Sequence, residues 1–369
     1  MKLVFLNVAF QALQGFGKGN YVVTGVLSSN VGDEYECRAG ENGSNNILAN
    51  LLYFLMSLDI LGLMKKEQDS NVTEFVLLGL SSSWELQLFL FLLFLFFYIA
   101  IVLGNLLIVV TVQAHAHLLQ SPMYYFLGHL SFIDLCLSCV TVPKMLGDFL
   151  QQGKSISFSG CLAQIYFLHF LGASEMFLLT VMAYDRYVAI CNPLRYLTVM
   201  NPQLCLWLVL ACWCGGFIHS IMQVILVIQL PFCGPNELDN FYCDVPQVIK
   251  LACMDTYVVE VLVIANSGLL SLVCFLVLLF SYAIILITLR THFCQGQNKV
   301  FSTCASHLTV VSLIFVPCVF IYLRPFCSFS VDKIFSLFYT VITPMLNPLI
   351  YTLRNTDMKT AMKKLRKKQ

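Results

Sequence analysis

The chain has 369 residues, of which 59% are hydrophobic and only 11% are charged, and its mean hydropathy is +0.80. A chain of this composition has too little polar surface to dissolve as a globule, which indicates a bilayer protein. Its formal net charge of +1 argues against a nucleic-acid-binding protein, because the basic residues gather in the carboxy-terminal tail instead of lining a groove.

The first 63 residues precede the long apolar windows. Residues 1–15 have the basic and apolar order of a signal peptide, although the apolar core is short and no clear cleavage site follows. The run 47–64 is 18 residues long, yet it contains Asp59, which would cost about 2.5 to 3.5 kcal/mol near the centre of a membrane helix. We therefore expect weak helix or disorder in this extension.

Seven later windows have the length and composition of membrane-spanning helices, each of which needs about 20 mostly apolar residues. Lipid offers no partner to backbone polar groups, and the windows far exceed the roughly ten-residue strands of a membrane barrel. The predicted fold is therefore an all-α membrane protein, a seven-transmembrane helix bundle. The windows are 87–112, 122–146, 160–190, 205–229, 257–289, 300–323 and 333–353.

The basic residues predict the orientation of the bundle. Seven lysines and arginines follow Tyr351, and such clusters mark the cytoplasmic side. With seven crossings the amino terminus is then extracellular, and the sequon that begins at Asn71 becomes a candidate glycosylation site. Residues 354–368 follow an amphipathic pattern, so we predict a short cytoplasmic helix that lies on membrane lipid with Met358 and Ala361 facing it.

Three polar side chains fall in the middle of the first three windows, where an ionisable group marks a functional site by default. They are Asn105, Asp134 and Glu175. The two carboxyl groups cannot both stay charged and unpaired there, so either one holds a proton or the pair shares a cation such as sodium. The alternative is a purely structural hydrogen-bond network. No other cofactor and no metal cluster is indicated.

The chain contains sixteen cysteines, and those inside the windows are interpreted as small reduced packing residues. Cys161, Cys233, Cys243 and Cys253 instead lie on the side predicted to be extracellular, where disulfides form. Four cysteines permit three pairings, and the sequence alone does not select one.

Five short motifs follow one another along the windows. The third window ends in MAYDRYVAIC, at 182–191, which places the charged Asp185 and Arg186 at the inner end of a long apolar helix. Together the motifs resemble the signature of odorant receptors, a branch of the rhodopsin-like G-protein-coupled receptors, over residues 64–369. The other four motifs are PMYYFL (122–127), LSFID (130–134), KVFSTCASHL (299–308) and PMLNPLIY (344–351).

The resemblance implies a receptor domain at 64–369 and leaves residues 1–63 as an extension outside the family pattern, most simply an over-extended gene model. It implies a plasma-membrane receptor, not an enzyme, that binds a small volatile molecule within the bundle. Its implied partner is a heterotrimeric G protein of the stimulatory, olfactory type, which raises cAMP in the sense of smell. Ion conduction through Asp134 and Glu175 is the alternative, but it requires a continuous polar path, and the outer halves of these helices are apolar.

The resemblance also implies a switch near the inner side. Arg186 turns toward the G protein on activation, and two tyrosines of the fifth and seventh helices hold the open state. Because Asp185 precedes Arg186 directly, we expect an ion pair between them at rest. Ser131 and Asn347 would complete a cation shell around the intramembrane carboxyl groups. The residues implied in coupling and switching are Asp185, Arg186, Tyr187, Tyr282, Asn347, Pro348 and Tyr351.

An odorant pocket is implied in the outer halves of helices three, five, six and seven, beneath a long loop. The implied disulfides are Cys161–Cys243 and Cys233–Cys253. The pocket set is mostly apolar with a few hydrogen-bonding groups, which suits a small, sparingly polar molecule. Since no Asp or Glu occurs in 162–174, we expect no recognition of cationic amines. The candidate lining residues are His169, Gly172, Ala173, Asn266, Ser267, Leu270, Phe315, Cys318, Val319, Tyr322 and Thr340.

Overall fold

The computed structural model describes residues 72–151, 153–291, 297–324, 331–353 and 356–368. The extension 1–63 and the sequon residue Asn71 lie outside the described residues, and so does the side chain of Tyr351. The described chain consists of long helices with three short strands at one end.

Several helices begin where the sequence contains a cap. The Asn201 side chain accepts a hydrogen bond from the Leu204 amide at 2.9 Å, and Pro202 follows at the first turn, where its missing amide proton is not needed. Ser157 accepts from the Gly160 amide at 3.2 Å in the same way. In chain order the helices are α1 (Trp84–Ala114), α2 (Ala116–Leu119), α3 (Pro122–Leu150), α4 (Phe158–Cys191), α5 (Tyr196–Val199), α6 (Pro202–Ile228), α7 (Val245–Ile249), α8 (Tyr257–Val263), α9 (Leu269–Thr291), α10 (Gln297–Tyr322), α11 (Asp332–Leu337), α12 (Thr343–Leu353) and α13 (Thr356–Lys368).

Each of the seven predicted windows coincides with a helical span. The spans are α1, α3, α4, α6, α8 with α9, α10, and α11 with α12. Six spans in the described part of the chain are long and apolar enough to cross a membrane, and the apolar section of α10, His307–Tyr322, is shorter. The predicted fold class is confirmed.

Two spans contain a π-helical turn that the hydrophobic windows do not predict. Ile264–Gly268 joins α8 to α9, and Phe338–Ile342 joins α11 to α12. A π turn inserts one residue per turn and so rotates the side chains beyond it, often at a functional site. The irregular turn of the last span precedes Pro344, and α12 continues through Pro348.

The helix α4 forms the centre of the bundle and packs against α3, α6 and α9. The helix α1 is peripheral, since only 17% of its most apolar stretch is buried, against 72% for α3. Gly216 permits the close approach of α6 to α4, because a Cβ at this position would lie 2.6 Å from the Phe170 carbonyl oxygen. Pro348 of α12 packs against Gly104 of α1, where an added Cβ would lie 3.0 Å from the proline Cβ.

A small three-stranded sheet lies at one end of the bundle, and the hydrophobic windows do not predict it. Strand β1 (Glu74–Leu77) lies between β2 (Ser155–Ser157) and β3 (Glu237–Leu238), antiparallel to the first and parallel to the second. Phe75 of β1 is fully buried, with its ring edge-on to Phe232 at a centroid distance of 5.6 Å. The sheet therefore ties the segment before α1 to the loop after α6.

The C-terminal helix α13 differs from its predicted orientation. Met358 and Ala361 are 0% and 2% exposed, because they pack into the hydrophobic core where α13 meets α1 and α12. The prediction that these two residues face lipid is therefore wrong. Lys359, Lys363 and Lys364 are exposed on the opposite side, so the amphipathic pattern serves docking to the bundle.

Candidate functional site

A cavity of about 60 Å³ lies within the bundle beneath the loop that joins α6 to α8, residues 229–256, which we call the lid. The structure brings seven of the eleven predicted pocket residues to its wall. They are His169, Gly172, Ala173, Ser267, Leu270, Cys318 and Tyr322.

Four predicted pocket residues do not line the cavity. Phe315 is fully buried and stacks on the ring of Phe275 at a centroid distance of 5.7 Å. Thr340 is also fully buried and donates a hydrogen bond to a backbone carbonyl one turn earlier. Asn266 lies beside the imidazole of His219, and Val319 is half-buried on α10. The helices that carry them were predicted correctly, but a family resemblance does not fix which side chains of this chain reach a small cavity.

Sequence reasoning missed ten lining residues, four of them on elements left out of the predicted pocket. Those four are a leucine of α3, a histidine of α6, and a tyrosine and an aspartate of the lid. The sequence offered one clue to Tyr242 and Asp244, because they flank Cys243, for which a disulfide was implied. The missed residues are Leu137, Leu168, Glu175, Met176, His219, Tyr242, Asp244, Ser271, Ile314 and Tyr339.

Two imidazoles face each other across one wall of the cavity. The ring centroids of His169 on α4 and His219 on α6 are 5.5 Å apart, and His169 lies 5.7 Å from the ring of Tyr322. His219 is buried, and its Nδ1 atom has no hydrogen-bond partner in the described structure. This wall can therefore accept or donate a hydrogen bond to a ligand.

The lid contributes a carboxyl group to the cavity wall. Asp244 is 3% exposed, and its Oδ1 accepts a hydrogen bond from the Tyr322 hydroxyl at 2.9 Å. Its Oδ2 accepts from the Tyr242 hydroxyl at 3.2 Å, and Tyr242 also contacts the hydroxyl of Tyr339. Burial raises the pKa of Asp244 to about 6, against the opposing effect of the two tyrosine hydrogen bonds.

Two disulfides hold the lid, Cys161–Cys243 with Cα atoms 5.5 Å apart and Cys233–Cys253 with Cα atoms 5.9 Å apart. These are the pairings that the resemblance implied. The Cys243 amide also donates to the Gln164 side chain of α4 at 2.9 Å. The first disulfide thus fixes the lid residues on either side of it over the cavity.

The predicted intramembrane polar residues come together below the cavity. Asn347 of α12 donates to the Asp134 carboxyl at 2.7 Å, and the carboxyl group of Glu175 neighbours that of Asp134. Asn105 donates to the Pro344 carbonyl at 3.0 Å, which ties α1 to α12.

The oxygen atoms of this cluster fit a small hard cation. One oxygen each of Asp134, Glu175, Ser131 and Asn347 is buried without a hydrogen-bond partner in the described structure. Hard cations take oxygen ligands of this kind, and a proton between the two carboxyl groups would satisfy two of the four. The residues present therefore fit either a sodium ion or a shared proton.

The inner end of α4 carries the predicted coupling residues. Asp185 accepts a hydrogen bond from the Tyr196 hydroxyl at 2.8 Å, and among the described ion pairs none joins it to Arg186. The expected resting ion pair is therefore wrong, because the tyrosine of α5 takes the carboxylate. The half-buried Tyr187 stacks on Tyr184 at a centroid distance of 6.4 Å.

Arg186 lies near a buried group of side chains from α9 and α10. It is close enough to interact electrostatically with Tyr282, Cys304 and His307. The Tyr282 hydroxyl and His307 Nδ1 are 2.5 Å apart. This contact joins the fifth span to the sixth beside the arginine, at the level where a change in helix packing would expose it.

Comparison with known proteins decides the family. A family model described as olfactory receptor matches residues 94–368. Human olfactory receptor 4Q2 is 59% identical over 303 residues, which cover 82% of this chain and 96% of the relative. Mouse olfactory receptor 4E2 is 56% identical over 300 residues, covering 81% and 97%. Human olfactory receptor 4K14 is 57% identical over 306 residues, covering 83% and 99%. The chain belongs to the olfactory receptor family.

As an olfactory receptor, the protein is a multi-pass receptor of the plasma membrane, not an enzyme, and it binds odorants and couples to G proteins. Its α4 carries His169 at the cavity and Arg186 at the other end. Their separation of 17 residues corresponds to about 25 Å of helix at 1.5 Å per residue. One continuous helix thus connects the cavity to Arg186.

Proposed function

We propose that this olfactory receptor binds a small volatile molecule in the cavity beneath the lid and activates a G protein of the stimulatory, olfactory type, which raises cAMP. The observation that supports this most is the cavity along one half of α4, with Arg186 near the far end of the same helix, close to Tyr282 and His307. A ligand that changes the packing of α9 and α10 around the cavity would move the side chains that surround Arg186.

We also propose that the lid faces the cell exterior and that the carboxy-terminal tail faces the cytoplasm. The two lid disulfides support this orientation, since disulfides persist in an oxidising compartment. At the opposite end, the exposed Lys359, Lys363 and Lys364 of α13 suit the anionic lipid of a cytoplasmic leaflet.

The test is a volatile panel on cells that express the full chain with an olfactory-type Gα, with cAMP as the readout. We expect a response that Gly172→Leu abolishes or shifts by at least tenfold in ligand concentration. A Cβ at Gly172 meets no atom within 4 Å, so the added side chain fills the cavity without disturbing the packing of α4. An amino-terminal tag on unpermeabilised cells measures surface level and tests the orientation.

Gly153→Leu provides the matched control. Gly153 is exposed, and an added Cβ there also meets nothing within 4 Å, so its response should equal that of the parent chain. A receptor that reaches the surface but is silent to the panel, or that signals only through an inhibitory Gα, contradicts the proposed function. An unchanged response in Gly172→Leu contradicts the assignment of the cavity.

For the cluster around Asp134 and Glu175 we propose a bound sodium ion or a shared proton. Replacing sodium by choline in the assay buffer separates the two, because only a sodium site responds to it. With sodium bound, we expect the ligand concentration for half-maximal cAMP to change with sodium concentration and Glu175→Gln to remove that dependence. If potency follows pH alone, the group is a proton; if it follows neither, the cluster is a structural network.

A further inference from the structure

The carboxyl group of Asp244 is buried at the cavity wall without a cation. Both of its oxygens accept hydrogen bonds from tyrosine hydroxyls, and Asp244 takes part in none of the ion pairs of the described chain. At this end of the bundle Lys333 pairs with Asp239, and Arg324 pairs with Asp332. A buried charge of this kind is costly unless an opposite charge compensates it.

Three tyrosines lie near this carboxyl group. Tyr242, Tyr322 and Tyr339, which we call the tyrosine cage, all line the cavity together with Asp244. The hydroxyls of Tyr242 and Tyr322 are oriented by Asp244, and that of Tyr339 contacts Tyr242. Tyrosine faces attract cations within about 6 Å of the ring centroid, and more strongly in a desolvated site.

The cavity is small, and part of its wall is apolar. Leu168, Leu270 and Ile314 line it beyond the tyrosine cage. Its volume of about 60 Å³ holds about four to six water-sized groups, at about 10 to 15 Å³ each. This room suits a short hydrocarbon chain that ends in one polar group.

We propose that the odorants of this receptor include small protonated amines, with the ammonium group against the Asp244 carboxylate inside the tyrosine cage and the alkyl chain toward Leu168 and Ile314. The inference rests on the proposed function, because it names the ligand class of the same cavity. It also replaces the expectation, drawn from the absence of acids in 162–174, that cationic amines are not recognised. The acid comes from the lid instead of from α4.

The cavity is also lined by a second carboxyl group, that of Glu175. Glu175 lies beside Asp134, in the cluster for which we propose a sodium ion or a shared proton. Among the described hydrogen bonds none joins a tyrosine hydroxyl to Glu175, whereas two tyrosine hydroxyls donate to Asp244. Asp244 therefore provides the compensating charge for an ammonium group.

The experiment measures the thermal unfolding of the purified full chain in detergent, with 3-methylbutylamine and 3-methylbutan-1-ol as probes. The two molecules share one carbon skeleton, so only the charged group differs. Because a ligand that binds the folded state raises the unfolding temperature, this titration gives an apparent Kd without any G protein. We expect the amine to bind at least tenfold more tightly than the alcohol at pH 7.

Asp244→Asn should remove that tenfold preference while leaving alcohol binding within about threefold. Asp239→Asn is the matched control, since it makes the same substitution in the same lid at an exposed aspartate outside the cavity, and it should keep the preference. Equal binding of the two probes, binding of neither, or loss of the preference in Glu175→Gln but not in Asp244→Asn would each overturn the proposal. Amine binding without a cAMP response would instead count against the proposed function alone.

Discussion

Replacement of Arg186 by alanine is expected to abolish the ligand-stimulated rise in cAMP, a loss of more than a hundredfold in response, while surface expression stays within about twofold of the parent. Arg186 is half-buried, and no ion pair to it occurs among the described residues. Its removal therefore breaks no folded-state bridge. The charge and fork geometry needed to engage a partner at the inner rim are lost. The measurement is cAMP against ligand concentration at matched surface level.

Arg195→Ala is the charge-matched control for this substitution. Arg195 is exposed in the short 3-10 turn that follows α4, so its loss also removes one positive charge from the same end of the bundle. Its response should stay within about fivefold of the parent. Full signalling by Arg186→Ala, or an equal loss in both variants, would refute the coupling role, since the second result would indicate a general electrostatic effect.

Arg186 also illustrates the limit of reasoning from neighbouring residues. Adjacency suggested an ion pair with Asp185, but successive side chains on a helix diverge by about 100°. The Asp185 carboxylate instead accepts a hydrogen bond from the hydroxyl of Tyr196, which lies eleven residues away on α5. No local pattern marks this contact, because it depends on how the loop after α4 folds back.

The seven spans were predictable because hydrophobic length is a local property that lipid enforces segment by segment. The cavity wall was only partly predictable. His169 and Tyr322 were correctly placed on it, whereas His219, Tyr242 and Asp244 were not. His219 was missed because α6 was not considered part of the pocket. The two lid residues were missed because a loop follows no periodic pattern, although the bridged Cys243 between them was a usable clue.

The π turns changed the register of the pocket on two spans. Ser267 lies within the first of them and reaches the cavity, whereas Thr340 lies within the second and is fully buried. The family resemblance assigns both residues to the pocket. The inserted residue of a π turn is set by tertiary packing, here the contact of Gly268 with the backbone of Tyr322, and no single-sequence pattern contains it.

The second large effect is expected from removal of the Cys161–Cys243 disulfide by the double substitution Cys161→Ala and Cys243→Ala. The bridge joins residues 82 apart, and closing a loop of that length stabilises the folded state by about 4 to 5 kcal/mol on the chain-entropy model. Cys243 lies between Tyr242 and Asp244, so its release also frees the acidic wall of the cavity. We expect surface level to fall at least tenfold and the response per surface receptor to be lost.

Two control variants separate the anchoring of Asp244 by the Cys161–Cys243 disulfide from a general loss of lid stability. Cys214→Ala removes an exposed free cysteine of α6 and should leave surface level and response unchanged. Removal of the Cys233–Cys253 disulfide opens a shorter loop, with a separation of 20 residues, for which the model gives about 3 kcal/mol. That variant retains the anchor of Asp244 on α4, so surviving receptors should respond at ligand concentrations within about tenfold of the parent. If both disulfide variants lost their response equally at matched surface level, the anchoring of Asp244 by Cys243 would not be what shapes the cavity.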